Sequence, residues 1–366
     1  MTRKLLRIGC KSIGDGQPVF IIAEIGINHN GEIDTAKRMI DEAQACGVDA
    51  VKFQTFRAEE FISDPAETYT YCSEGKKVTE SMFEMFKRYE FSKNEWVEIF
   101  DHCRKKKIIF FSSPQNPSDL DFLLGITDLP AIKVGSDDLI NLPLLKYYAN
   151  KKLPMIISAG MASLAEIEDA VACVRQAGNE DFAILHCVSC YPTEARDVNL
   201  RKMKTIARAF QVVVGFSDHT IGTTAAIAAV ALGANVIEKH FTLDKNLPGP
   251  DHWFSIDPKE LKDLVKGIRY AEKALGSPVV KPIGKENEMR KIARRSIVAD
   301  QGIRKGEVIS ANMITFKRPG TGLPPMFEKY IVGKRAIKDI AKNEQVTFDD
   351  IKPAEIPDGE FSFSSG

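Results

Sequence analysis

Two imidazoles on consecutive strands could gather a cation. From residue 212 the chain reads VVVGFSDH, then the small-residue run TIGTTAAIAAVALGAN, then VIEKHFTL. The outer pieces are short, rich in Val and Ile, and closed by polar residues, the pattern of buried parallel strands. The Ala-rich piece between them reads as one helix that Gly233 can end. Alternation along a strand puts Ser217 and His219 on one face of the first run, and Glu238 and His240 on one face of the second. If the runs are neighbours in a sheet, both rings reach the same rim and supply half of a metal site. A lone histidine at a strand end is more often a hydrogen-bonded structural residue. Two at matching heights, each beside an acid (Asp218, Glu238), point towards a ligand role.

A regular scaffold must hold them. Strand-like runs at 19–25, 50–54, 108–112, 131–135, 155–159, 182–188, 212–216 and 236–241 make eight. Helical rhythm fills gaps between them, at 34–46 (opened by an acidic N-cap and stopped before Gly47), 94–106, 165–176, 200–210 and 258–275. Eight βα repeats in about 275 residues is the length and order of an α/β TIM barrel. A doubly wound open sheet competes, but no GxGxxG follows the first strand. The longest insertion, 56–92, holds Asp64-Pro65, Tyr69, Tyr71 and a helical pattern over 80–89, and is expected to cover the barrel mouth. The expected division is a barrel over 1–280, a Pro-, Gly- and Lys-rich linker over 281–292, a small β-rich domain over 293–352 and a polar tail over 353–366.

Composition narrows the partners. Lys plus Arg and Asp plus Glu both total 50 in 366 residues, so no global field draws the chain to nucleic acid or an anionic membrane. The opening MTRKLLRIGC lacks a signal-peptide core, and no apolar run approaches the ~20 residues that span a bilayer. Seven scattered cysteines argue against a disulfide framework and for a reducing cytoplasm. Cys187 and Cys190 have CxxC spacing but sit at a strand end, and read as buried small hydrophobes.

At the C-terminal rim of such a barrel the strand ends form one list: Glu24; Lys52 and Gln54; Ser112 and Ser113; Lys133 and Ser136; Ser158; Ser189; Ser217 and His219; Glu238 and His240. Two lysines among hydroxyls suit a phosphate and a carboxylate, each charge-assisted bond contributing roughly 1.5–3 kcal/mol. A lysine inside a barrel is costly without an anion, whereas each serine alone could equally serve the backbone.

These residues lie in motifs that resemble the sialic acid synthase family: AEIGINHNG at 23–31, VKFQT at 51–55, KVGS at 133–136, GFSDHT at 215–220, EKHFTLDKNLPGPDH at 238–252 and KRPGTG at 317–322. The resemblance covers nearly the whole chain, and its C-terminal part resembles the antifreeze-like SAF domain. It implies an enzyme that condenses phosphoenolpyruvate with an N-acetylated hexosamine, giving a nine-carbon 2-keto acid and phosphate. It makes His219 and His240 ligands of a divalent metal, Mn²⁺ or Mg²⁺, and Glu24 the general acid/base, whose pKa burial would raise and Lys52 would lower. Lys52, Ser113, Lys133, Ser136, Ser158, Ser189 and Ser217 are implied for phosphoenolpyruvate. Gln54, Tyr191, Asp251 and Arg318 are implied for the acceptor, with Arg318 crossing to a partner in a homodimer that exchanges C-terminal domains. Asn28 and His29 read as loop-shaping residues. Bacterial family members often carry Thr at the position of Ser113, Asn at that of Ser189 and Thr at that of Ala159. These departures leave the acceptor open among sialic, legionaminic and spore-coat types, while PGPDH and KFQTF lean away from the pseudaminate branch. A Schiff-base aldolase using Lys52 or Lys133, and a non-catalytic sugar-binding barrel, are the rivals.

Overall fold

The computed structural model describes residues 5–352. The expected tail at 353–366 lies outside them. The chain divides into two units, residues 1–276 and 277–366.

The first unit opens with a hairpin, β1 (Leu6–Ile8) and β2 (Lys11–Ile13), whose Leu6, Ile8 and Ile13 are buried. Gly9 lies against Ile109 and Gly14 against Val213, so the hairpin closes the base of the barrel. The barrel strands begin with β3 (Phe20–Gly26) and β4 (Ala50–Thr55). An inserted antiparallel hairpin follows, β5 (Thr68–Ser73) and β6 (Lys76–Ser81). Then come β7 (Ile109–Pro114), β8 (Ile132–Val134), β9 (Met155–Ser158), β10 (Phe182–Cys187), β11 (Val213–Asp218) and β12 (Val236–His240). The eight barrel strands are parallel and closed in the order β3, β4, β7, β8, β9, β10, β11, β12, with β12 returning to β3. All seven residues of β3 are buried, as a strand covered on both faces requires.

Helices pack outside. Ile33–Cys46 ends at Gly47, which takes φ 86°; Glu32 rather than Asp34 occupies its N-cap, and makes no side-chain cap bond. Lys93–Lys106 is closed at its start by a reciprocal Ser92–Glu95 capping box. Two helices without an obvious sequence rhythm, Pro117–Leu124 and Leu142–Asn150, carry Pro in the first turn, where no intrahelical donor is lost. Among the described residues no helix is long and apolar enough to cross a membrane.

The insertion after β4 differs from its sequence reading. The expected helix over 80–89 is Met82–Tyr89, capped by Ser81 accepting from Glu84 N at 3.2 Å. The β5–β6 hairpin was not expected. It turns at Glu74 and Gly75, both with positive φ (50° and 72°), as a type I′ turn requires. Beneath it Met85 and Tyr89 pack with Ile27 and Phe56.

In the second unit, β13 (Ser296–Ala299) pairs antiparallel with β14 (Ile314–Lys317). Isolated bridges such as Ile303–Ile340 and Ala336–Ile351 complete a small β-rich fold around Ile297, Ile309, Ile331 and Val346. Of the stretch read as a linker, a helix over Gly284–Ala293 takes up most. GKENEMRKIA is rich in good helix formers, and Glu286 returns to accept from Ile283 N at 2.8 Å.

Candidate active site

Strand register brings the rim residues to one level. Ser217 pairs with Glu238, His240 with Glu24, and Glu24 with Lys52. They open into a cavity of about 460 Å³ that Ser113, Lys133, Ser136, Ser158, Ser189, Gln54, Tyr191 and His219 also line. The barrel residues expected to bind substrate or metal therefore share one space, which Asp251 joins from an adjoining compartment; Ser112 faces away, its Oγ 2.7 Å from Thr55 Oγ1.

The cavity floor is a charged network. Lys52 and Lys133 are only 4% and 2% exposed. Lys52 Nζ lies 2.8 Å from Glu24 Oε2 and donates to Ser113 Oγ at 3.1 Å. Lys133 Nζ donates to Ser158 Oγ at 2.8 Å and lies 3.7 Å from Glu238 Oε1, which also accepts from Ser217 Oγ at 3.1 Å. Burial pulls the Lys52 pKa down, yet the Glu238 and Glu24 carboxylates hold its ammonium above the usual lysine value. Burial wins at Lys133, which is held below the usual value despite Glu238. At Glu24 burial outweighs Lys52 and the carboxyl is raised. At Glu238 burial is outweighed by Lys133 and Lys52 together, and the carboxyl is lowered. One floor thus holds a carboxyl inclined to carry a proton and another inclined to lose it.

Beside the lysines is a small pocket that a glycine keeps open. Gly160 N donates to Ser136 Oγ at 2.9 Å, and Ser136 Oγ meets Cys187 Sγ at 3.2 Å. A Cβ at Gly160 would fall 2.4 Å from Ser189 Oγ and 2.8 Å from Ser136 Oγ, so only glycine leaves this pocket open. Cys187 is buried here as expected, but Cys190 is exposed. It follows the strand end, where the chain has already turned outward.

The two imidazoles lie 5.5 Å apart between ring centroids. His219 Nδ1 meets Val188 O at 2.8 Å, so that nitrogen carries the proton and Nε2 keeps a lone pair, with Ser217 Oγ 3.5 Å away. His240 Nδ1 is buried and makes no hydrogen bond among the described residues, with the Asp251 carboxylate 3.8 Å away. Burial lowers the pKa of both, and at His240 the neighbouring His219 adds to it. Neutral rings with lone pairs fit a metal. No set of three His, Cys, Asp or Glu that could hold a metal is gathered among the described residues, so the two rings would be part of a ligand shell and not the whole of one.

A second compartment of about 600 Å³ shares Gln54, Phe61, Tyr69, Phe86, Tyr191 and His240 with the first. Its walls are largely apolar, from Met82, Met85, Trp253 and Phe254, with Asp251 among them. Tyr191 is 48% exposed and packs 4.2 Å from His219 between ring centroids. Asp251 is pushed up to about 7 by burial and by the Glu24 charge.

Asn28 and His29 shape loops. Asn28 Nδ2 donates to Phe241 O and Ser255 Oγ at 2.9 and 3.0 Å. His29 Nδ1 accepts from Gly31 N at 3.0 Å, and its ring stacks on Phe91. Arg318 belongs to the second unit, where it is exposed ahead of Pro319. Sequence reasoning placed Glu238 on the rim beside His240 but gave it no role; the structure makes it the carboxylate partner of Lys133 and Ser217. Sequence reasoning missed Gly160, whose contribution is a backbone N–H, and the aromatic walls Phe61, Phe86 and Phe254, which follow no periodic pattern.

The NeuB family profile matches residues 39–280 and the SAF domain profile matches residues 294–352. The chain is 40% identical to the N,N'-diacetyllegionaminic acid synthase of Legionella pneumophila, over 94% of this chain and 98% of that protein. It is 36% identical to the human N-acetylneuraminate-9-phosphate synthase, over 91% of this chain and 93% of that one. The crystal structure of N-acetylneuraminic acid (sialic acid) synthetase from Leptospira borgpetersenii serovar Hardjo-bovis in complex with citrate matches with a TM-score of 0.71 at 36% identity, covering 79% of this chain and 95% of that chain.

Proposed function

The chain belongs to the NeuB family, and from that premise we propose that it is a nonulosonic acid synthase joining phosphoenolpyruvate to an N-acetylated hexosamine. The observation that carries this reading is two buried lysines opening, with two neutral imidazoles, into one cavity. Lys52 and Lys133 hold the carboxylate and phosphate of the donor, with Ser113, Ser158 and Ser217 fixing the lysines and Glu238. Ser136 and Ser189, in the space that Gly160 keeps open, take further phosphate oxygens. The acceptor's acetamido methyls suit the apolar compartment, while Gln54, Tyr191 and Asp251 meet its polar edge. N-acetylmannosamine and a 2,4-diacetamido-trideoxyhexose are the two acceptor types.

The enol carbon C3 of the donor attacks the aldehyde carbon of the open-chain sugar, forming the C–C bond. Water then adds at C2, and the adduct expels phosphate with cleavage of the C2–O bond, leaving the 2-keto acid. Glu24, raised by burial, gives its proton to the new hydroxyl and then takes one from the attacking water. A divalent cation, Mn²⁺ or Mg²⁺, held by His219 and His240 supplies polarisation of the aldehyde oxygen when bound. We further propose a homodimer in which Arg318 reaches the acceptor of the partner subunit, so that Arg318→Ala weakens acceptor binding more than donor binding.

One observation favours a second reading. Lys133 is held below the usual lysine value, as a Schiff-base nucleophile would be. A panel of N-acetylated and diacetamido hexoses, each with phosphoenolpyruvate and Mn²⁺, decides by product mass. A nine-carbon acid with equimolar phosphate supports the synthase, and no product from any acceptor defeats it.

A further inference from the structure

An ion pair lies behind the two imidazoles, not in the cavity they face. Asp218 and Lys239 are each 1% exposed and stand opposite each other in the β11–β12 register. Their charged atoms approach to 2.9 Å, and neither residue lines the catalytic cavity. Strand alternation turns Asp218 away from Ser217 and His219, and Lys239 away from Glu238 and His240.

Two more bonds close a ring around His219. Asp218 Oδ1 accepts from Thr220 N at 2.8 Å, and Lys239 Nζ also donates to Thr220 O. One ammonium, on the residue just before His240, thus grips the residues on both sides of His219. The ring of His219 is held separately, by Val188 O at 2.8 Å.

Stability alone does not explain the arrangement. Burying an ion pair strips water from two charges, and a well-packed apolar pair of similar volume is often as stable or more so. What this pair fixes is the relation between the two peptides that carry the imidazoles. We infer that Asp218 and Lys239 are positioning residues for the cation site, setting the spacing at which His219 and His240 present their nitrogens to one ion. The inference rests on the reading that those two rings bind a divalent cation.

The test is Mn²⁺ binding to the full chain stripped of metal, read from the electron paramagnetic resonance signal of free Mn²⁺. Phosphoenolpyruvate binding is measured separately, without metal, by calorimetry. Two variants are compared with the unsubstituted protein. Asp218→Asn keeps the size and the acceptor for Thr220 N, and Asp218→Asn combined with Lys239→Met leaves no buried charge unpaired. Loss of outer partners that orient metal ligands typically weakens affinity about 10–100-fold. That loss is expected here in whichever variant melts cooperatively, with phosphoenolpyruvate affinity unchanged. A pair that merely staples two strands would lower the melting temperature and leave Mn²⁺ affinity as it was; that result overturns the inference. If the unsubstituted protein binds no Mn²⁺, the cation reading beneath fails and takes the inference with it. A binding parent with unaffected variants sinks the inference alone.

Discussion

The floor and the roof of the cavity enclose one space but are built by different means. The floor stands on strand ends whose neighbours are fixed by barrel register, and its lysines, carboxyls and serines are bonded to one another. The roof hangs on the insertion after β4 and the loop after β12, and presents aromatic side chains, Phe61, Tyr69, Phe86 and Phe254. Rigid strands suit chemistry, which tolerates little misplacement, while loops suit selection among acceptors. Two more buried imidazoles brace the loops beside the roof. His29 accepts from Gly31 N, and Gly31 packs so closely on Arg88 O that a Cβ would come within 2.4 Å. His252 is 1% exposed and bonds Thr242 Oγ1 at 2.7 Å and Asn30 Oδ1 at 3.2 Å.

Substitutions can break this contrast. His240→Ala should cost several kcal/mol of barrier, a fall in turnover of about 10³-fold, with an unchanged circular dichroism spectrum. Unaltered turnover would remove the ring from the chemistry. Lys133→Ala deletes a charge-assisted contact worth about 1.5–3 kcal/mol, so kcat/KM for phosphoenolpyruvate should drop about 10–100-fold, with the acceptor KM little changed. Equal damage to both substrates would show that floor and roof are not separable.

Acid should weaken the roof as well as the floor, whose own imidazoles burial also lowers. Burial, with the His252 charge second, lowers His29 to about 3, and burial lowers His252 to about 4, against an ordinary 6.5. Below pH 6.5 the unfolded chain binds protons that these rings refuse when folded. Their neutral burial therefore favours folding fully above pH 6.5, and that advantage is lost as pH falls towards 4 and then 3, at most about 1.4 kcal/mol per pH unit for each ring. Melting temperatures taken from pH 7 to 4.5 should fall, and less steeply in His252→Asn; an identical slope would exonerate the ring. Smallest of all, Phe86→Ala should raise the acceptor KM about fivefold, the scale of one aromatic contact, and leave the phosphoenolpyruvate KM alone. A larger effect on the donor would place the phenyl ring with the floor.

The same contrast decided what could be read in advance. Lys52 and Lys133 interrupt apolar strand runs, so alternation and chain order place them at one rim before any coordinates are known. His219 and His240 follow from the same reasoning, and the motifs around them sharpen it. Hairpin β5–β6 escapes because TYTYCS and KKVTES are largely exposed and lack a buried alternating face; the Glu74–Gly75 turn was the one available signal. Gly160 escapes because a backbone N–H has no letter of its own. Whether burial or Lys52 sets the Glu24 proton depends on depth and distance, which spacing along the chain does not encode.

The most direct measurement sets the two floor chemistries against each other. The protein with Mn²⁺ is given phosphoenolpyruvate and a diacetamido hexose in one vessel, and pyruvate, the same hexose and borohydride in another. The expected result is inorganic phosphate released in step with a nine-carbon keto acid in the first, and no borohydride-trapped adduct on Lys52 or Lys133 in the second. A trapped lysine adduct, with phosphoenolpyruvate left intact, would contradict it.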